Sequence, residues 1–456
     1  MRVQDFSRIL SFLGATALCI SCISQKNEFV MVMHETQVSF SEKNHALDNN
    51  DNFSPDDRYL CYDTRGTIYN ENLANCKSIE KIEIATGRET ILWEPESVTG
   101  EEAAPGVAAV SWHPTENKVI FIHGPLLQEV KERGYYGIRN RTGVEVSADG
   151  KGAVTKVDCR DVSTERSTLP GAHRGGTHRH EYSRNGKRIG FTYDDFLLPQ
   201  YDRTIGFMEP GESAPVGYTH YFTVLLKPEE TGKSKPGEIE KAYGDSWVDH
   251  TGTMRAFIGK VRAENGLDYD TALFVADVPE NLDITTAGSG DKTHYPTPPE
   301  GVKIRRLTHN LTVHGIVRGS PDGRKIAFLA EDENKFKQVF VIDSKADVLL
   351  PTAENQPKQL SRLTSDASFI RWHPSGNWIF AVVNGNIVAI YAREDENFGK
   401  TVWLTNDKKD RTELVVSNNG KLLAYNMMVP DETGSRLYKQ IFILEPEWER
   451  LHSVLK

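Results

Sequence analysis

Short apolar runs rich in β-branched and aromatic residues recur along the chain, each entered through a polar turn. Examples are Tyr59-Leu60-Cys61-Tyr62, Val119-Ile120-Phe121-Ile122, Ile189-Gly190-Phe191-Thr192 and Ile379-Phe380-Ala381-Val382. Runs this short, bounded by turn residues, predict strands. The turn is clearest as Ser320-Pro321-Asp322-Gly323, and weaker copies begin at Ser54, His113, Ser183, Asp249, His373 and Ser417. Three residues on, Gly186, Gly252, Gly323, Gly376 and Gly420 supply the conformational freedom that a reversal between antiparallel strands needs. Asp57 and Glu116 stand there in the first two copies. Third strands are legible at 338–343 and 440–444, and units close on Leu307-Thr308, Leu363-Thr364 and Leu404-Thr405. The pattern predicts an all-β chain, a β-propeller of seven four-stranded blades. A two-sheet sandwich gives no reason for a sevenfold turn. The longer repeat intervals, in the first half above all, exceed the roughly 40–50 residues of a bare blade, which predicts long loops at 126–162 and 196–241.

Before the repeats, residues 1–22 form a targeting segment, with Arg2 and Arg8 ahead of an apolar stretch from Ile9 to Ile20. Leu18-Cys19-Ile20-Ser21-Cys22 resembles a bacterial lipoprotein signal, which implies cleavage before Cys22 and lipidation of that residue. Residues 23–44 then read as a tether, and 45–448 as a single propeller domain. The lipid would be the only membrane attachment, placing the chain on the periplasmic side of the envelope, at the outer membrane. With Cys22 modified, Cys61 and Cys76 are free to pair in an oxidising compartment and Cys159 is left over. A net charge of −10 excludes broad nucleic-acid binding, which needs a basic face.

Propeller topology brings the start of each first strand and the end of each second strand to one face. There the chain offers Asp48, Asn49, Asn50, Asp63, Arg65, His123, His178, His180, Tyr193, Asp194, Asp195, Asp245, Lys260, His314, Glu331, Asp332, Arg411 and Glu413. The sharpest stretch is Gly175-Gly176-Thr177-His178-Arg179-His180-Glu181. In a regular strand alternate side chains share a face, so His178 and His180 point together and Arg179 points away. Such a pair suits a divalent metal (manganese, zinc or calcium), with His314, His123 or Asp194 as third ligand. It equally suits a ligand-binding site without metal. Trp112, Trp247 and Trp372 precede the turn and read as packing residues, while His113 and His373 occupy the turn's serine position and read as backbone acceptors. No phosphate loop, serine elbow or HExxH helix is present.

The repeats resemble those of TolB-like propellers over nearly all of the chain after the targeting segment. Asn52-Phe53-Ser54-Pro55-Asp56, Tyr62-Asp63-Thr64-Arg65, Phe121-Ile122-His123-Gly124-Pro125, the Gly175–Glu181 stretch and Phe191-Thr192-Tyr193-Asp194-Asp195 resemble an uncharacterised bacterial propeller family. A looser similarity, at His123-Gly124-Pro125 and the histidines, is to oligogalacturonate lyases. That likeness implies a metal held by His178, His180 and His314, Arg65 neutralising a uronate carboxylate, and His123 as base. Two expectations follow. The first is a lipid-anchored envelope propeller binding a protein or glycan through Asp63, Arg65, His123, His178, His180, Asp194, Asp195 and His314. The alternative is a metal-dependent lyase acting on acidic oligosaccharides.

Overall fold

The computed structural model describes residues 29–48, 51–65, 76, 78–97, 104–150, 152–350, 352 and 355–456. The targeting segment, Cys22, Asn49 and Asn50 lie outside them. Apart from a two-stranded parallel ribbon of Cys159–Arg160 with Ala172–His173, the strands fall into seven consecutive sheets, in which the successive antiparallel strands run from the ring's centre outward. Blade three is typical, with Gly175–Tyr182 innermost, then Ile189–Asp195, Thr204–Pro210 and His220–Val224. In blade one the bridges Ala46–Asp63 and Phe53–Leu60 take the place of an innermost strand. Seven apolar clusters fill the seven gaps between neighbouring blades. Neither face of an inner blade could be left in water, so each sheet is stable only between its neighbours.

The turn glycines behave as their spacing predicts: Gly186, Gly252, Gly323, Gly376 and Gly420 have φ between 72° and 74°. Asp57 takes the same left-handed conformation in the first turn (φ 58°). His113 Nδ1 accepts the backbone N–H of Glu116 at 2.9 Å, and His373 Nδ1 that of Ser375 at 3.1 Å, as the turn reading requires.

Three expectations are corrected. Residues 196–241 are no insertion, because they carry the two outer strands of blade three; likewise 126–162 contains Thr142–Ser147 and Thr155–Lys156 of blade two. The tether is not free either. Phe29–Val30 adds in parallel to Thr401–Trp403 as a fifth strand of blade six, and Glu35–Gln37 pairs with Leu437–Leu444 as the outermost strand of blade seven. Blade seven is therefore built from both ends of the chain. The first of these strands is only two residues long and the second is polar, so neither announces itself in the sequence. At the other end, Trp448–Ser453 is a helix that continues past residue 448 and buries Leu451 and Val454 between blades six and seven. Finally, Cys61, Cys76 and Cys159 are free, buried thiols. Burial pushes Cys76 up to about 12 and Cys159 up to about 11, which keeps both in the protonated, unreactive form.

A second sevenfold feature lies on the innermost strands. Asp48, Ala109, Arg179, Gly244, Gly315, Phe369 and Glu413 all have φ between 50° and 74°. In blades two to seven this residue sits inside a shift of register with the second strand. Each is a β-bulge, where one extra residue (two in blade five) interrupts the side-chain alternation. Five of the seven are not glycine, so the sequence gives no warning of them.

Candidate functional site

The bulge at Arg179 undoes the expected pairing of His178 with His180. His180 turns into the gap between blades two and three, where it is fully buried and its Nε2 lies 3.0 Å from Thr177 Oγ1. A Cβ on Gly143 would come within 2.8 Å of that imidazole, so the glycine makes room for it. His178 points elsewhere, with its Nδ1 3.3 Å from Thr192 Oγ1. Burial, then the neighbouring guanidiniums of Arg141, Arg203, Arg65 and Arg179, hold His178 far below the usual imidazole range. A cation beside His178 would meet that same positive field. His314, the third nominated ligand, faces Glu331 at 3.1 Å. Among the described residues no three histidine, cysteine or carboxylate side chains are grouped to hold a metal ion.

The other nominated residues are mostly engaged in holding the blades. Arg65 is buried between Asp48 (2.7 Å) and Asp63 (3.0 Å), and Asp63 also accepts the backbone N–H of Ala109 in the bulge of blade two. Its charge is spent on these carboxylates instead of on a substrate. Asp194 pairs with Arg203 at 2.9 Å, and Asp195 with the fully buried Arg174 at 2.8 Å. His123 packs against the rings of Trp93 and Phe121 in the gap between blades one and two. The doublet Gly175-Gly176 has a steric reason: a Cβ would stand 1.9 Å from the Asp194 carbonyl at the first position and 2.2 Å from that of Ile138 at the second.

Burial holds His123, His180 and His220 down to about 4. An unfolded histidine takes up its proton near pH 6.5, so below that pH the unfolded chain binds protons that the folded chain refuses. Stability is therefore expected to fall between pH 6.5 and about 4, each histidine contributing on the order of 1.4 kcal/mol per pH unit. Thermal midpoints recorded from pH 7 to pH 4 would show this, and a flat profile would contradict it.

The recess in the ring lies at the opposite end, among the turns. A cavity of about 310 Å³ opens there on the axis and is lined by residues of all seven blades. Phe53, Pro114, Pro321 and Pro374 form an apolar collar. Below it stand Glu181, Arg318 and Arg371, each two residues before its turn in blades three, five and six. Arg184 crosses the mouth from blade three to blade five, donating to the carbonyls of Gly319, Ser320 and Pro321 at 2.7–3.0 Å. Glu181 is held by Ser246 Oγ at 2.6 Å and by Arg255 at 3.0 Å. The tryptophans are pegs between blades, as expected: Trp247 Nε1 donates to the Glu181 carbonyl and Trp372 Nε1 to that of Arg318. Trp247 stands one residue further from its turn than Trp112 and Trp372 do from theirs.

Residues 106–221, blade two and most of blade three, match the family model described as a protein of unknown function (DUF3748). Over 422 residues the chain is 30% identical to the protein YidR of Escherichia coli (strain K12), covering 85% of this chain and 94% of that one. The chain belongs to the YidR family. Similar solved structures include a putative TolB from Agrobacterium tumefaciens (12% identity, TM-score 0.37, covering 78% of this chain and 86% of that one). Others are TolB from Acinetobacter baumannii (11%, 0.37, 86% and 80%) and a puromycin-hydrolyzing peptidase from Mycobacterium tuberculosis (10%, 0.46, 86% and 50%). In this YidR-family chain the matched span includes the Gly175–Glu181 stretch, whose glycines and bulge are now accounted for by backbone packing.

Proposed function

We propose that this YidR-family propeller is a non-catalytic binding module of the bacterial cell envelope, taking a protein or glycan ligand at the turn-side mouth of its channel. One observation carries the reading: the axial cavity draws its lining from every blade, with an apolar collar above charged groups. Sites of a few hundred Å³ that combine apolar walls with a few convergent polar groups are where ligands bind. Residues 1–22 support export and Cys22 a lipid anchor. Among the described residues no helix is long and apolar enough to cross a membrane. The lyase alternative draws little support from the geometry, since its proposed base packs against Trp93 and its carboxylate-neutralising Arg65 is already paired.

The test is photo-cross-linking in cells. A cross-linking side chain in place of Asn418 or Pro374, at the mouth, is expected to yield discrete adducts, and one in place of the fully exposed Val216 none. Equal labelling from all three positions would remove the mouth as the site.

A further inference from the structure

Six residues, 23–28, separate Cys22 from Phe29, where the chain joins blade six. Fully extended, they reach about 25 Å from one to the other, at 3.3–3.6 Å per residue. The register of blade six fixes which face that reach serves. Tyr391 pairs with Trp378, just past the turn 373–376, and the Ala392 N–H donates to the Asn377 carbonyl at 2.8 Å. The loop 392–400 therefore lies on the turn side. Thr401 pairs with Ile390, and Phe29 pairs in parallel with Val402, so the chain enters at the turn side and runs away from it. Lys400 Nζ, at the end of that loop, stands 5.5 Å from the centre of the Phe29 ring. The far side is a strand length off, since the six residues of Trp378–Val383 span about 20 Å. A tether led there around the rim would have almost nothing left with which to reach a bilayer.

Two more features belong to the turn side. A groove of about 480 Å³ runs outward from the mouth between the turns of blades five and six. It shares Pro321, Trp372 and Pro374 with the mouth and ends at Ala392, Arg393 and Glu394, in the loop that carries Lys400. At blade five, Ser344 Oγ donates to the carbonyl of the turn residue Gly323 at 2.8 Å. The loop that leaves from Ser344 bears Leu349 and Leu350, 82% and 70% exposed. An adjacent pair of leucines this bare suits the headgroup boundary of a bilayer, where apolar side chains lose their contact with water.

We propose that the turn-side face is the membrane-facing surface of the ring. It rests on the phospholipid surface that holds the lipid of Cys22, with Leu349 and Leu350 in the headgroup region and the axial mouth turned toward the bilayer. The inference rests on lipid anchoring at Cys22, which is part of the function proposed above. The lipid supplies the attachment, and the short tether together with the place where the chain enters blade six supplies the orientation. A ligand then meets the mouth at the membrane surface, and the groove between blades five and six is its way in from the rim.

Energy transfer from a labelled side chain to a headgroup-labelled lipid tests the orientation, on the full lipidated chain in vesicles of phosphatidylethanolamine and phosphatidylglycerol. Cys61, Cys76 and Cys159 are buried, so a cysteine introduced at the surface takes the label. Lys421→Cys and Glu432→Cys place it at exposed positions beyond the two ends of Leu423–Pro430, on the turn side and the far side of blade seven. Transfer from Lys421→Cys is expected to be at least about twofold greater, because eight residues of strand hold the two sites about 25 Å apart. Leu349→Cys should match Lys421→Cys. Greater transfer from Glu432→Cys, equal transfer from both ends (a ring standing on its edge) or none from either would overturn the orientation. If adducts from Asn418 and Pro374 persist in that case, the mouth remains the binding site and only its direction is lost. If the adducts are absent while Lys421→Cys lies nearer the lipid, the face rests on the membrane and the envelope ligand falls.

Discussion

Arg255→Met is expected to destabilise the folded chain by about 3–5 kcal/mol, the usual cost of removing one partner from a buried ion pair. Arg255 is fully buried and joins blade four to blade three. Its Nε donates to Asp245 at 2.7 Å and its Nη1 to Glu181 at 3.0 Å, while its guanidinium lies 4.8 Å from the centre of the Trp247 ring. Methionine fills much of the space but takes the direct ion-pair partner away from two carboxylates, each less than about a tenth exposed. The surroundings are shaped for the arginine, since a Cβ on Gly190 would stand 2.0 Å from Nη1. Urea unfolding of wild type and variant measures the difference, read as a lower midpoint at unchanged slope. A loss below about 1 kcal/mol would mean that the pair is solvated and comparable to a surface salt bridge. Because Glu181 also borders the mouth, the variant should weaken ligand binding as well.

Deleting residues 23–44 is expected to have a still larger effect, abolishing the stable monomer. The loss removes the outermost strand of blade seven and the fifth strand of blade six. It also removes Glu35, which accepts two hydrogen bonds from the buried Arg411, both at 2.6 Å. The exposed edge of Leu437–Leu444 would then be open to pairing with another chain. Size-exclusion chromatography and limited proteolysis compare this variant with one lacking residues 1–28, which should elute as a folded monomer. Equal behaviour of the two would show that the N-terminal strands add little.

The blade number was legible because it is written twice, as turns and as apolar second strands. Gly186, Gly252, Gly323, Gly376 and Gly420 mark the turns by the one property that separates glycine from other residues. The bulges are not legible in the sequence because Ala109, Arg179, Phe369 and Glu413 adopt the left-handed backbone under tertiary constraint, against their own preference. Alternation fails at the residue between His178 and His180, so a period-two pattern wrongly places them on one face. The ring closure was hidden for a different reason: Glu35-Thr36-Gln37 has no apolar alternation and is held by its partner strand and by Arg411. The mouth did leave a trace in the sequence. Glu181, Arg318 and Arg371 occupy the same offset from the turn in three repeats, and charged residues recurring at a position that topology places on the axis are a signal that a repeat alignment exposes.

Sewing blade seven from both termini also fixes when the fold can be completed. Ser39 Oγ meets Gln440 Oε1 across 401 residues of chain, nearly the greatest separation this sequence allows. Closing so long a loop adds little to the entropy cost, which grows only as the logarithm of length. It costs time instead, because contacts this distant in sequence form late and slowly. During synthesis the strand Glu35–Gln37 must wait for its partner until the last hairpin has been delivered, with blades one to six already able to associate. The final stitch therefore works as a completeness check: a chain truncated anywhere before Leu437–Leu444 has an N-terminal strand with nowhere to dock, and its ring stays open.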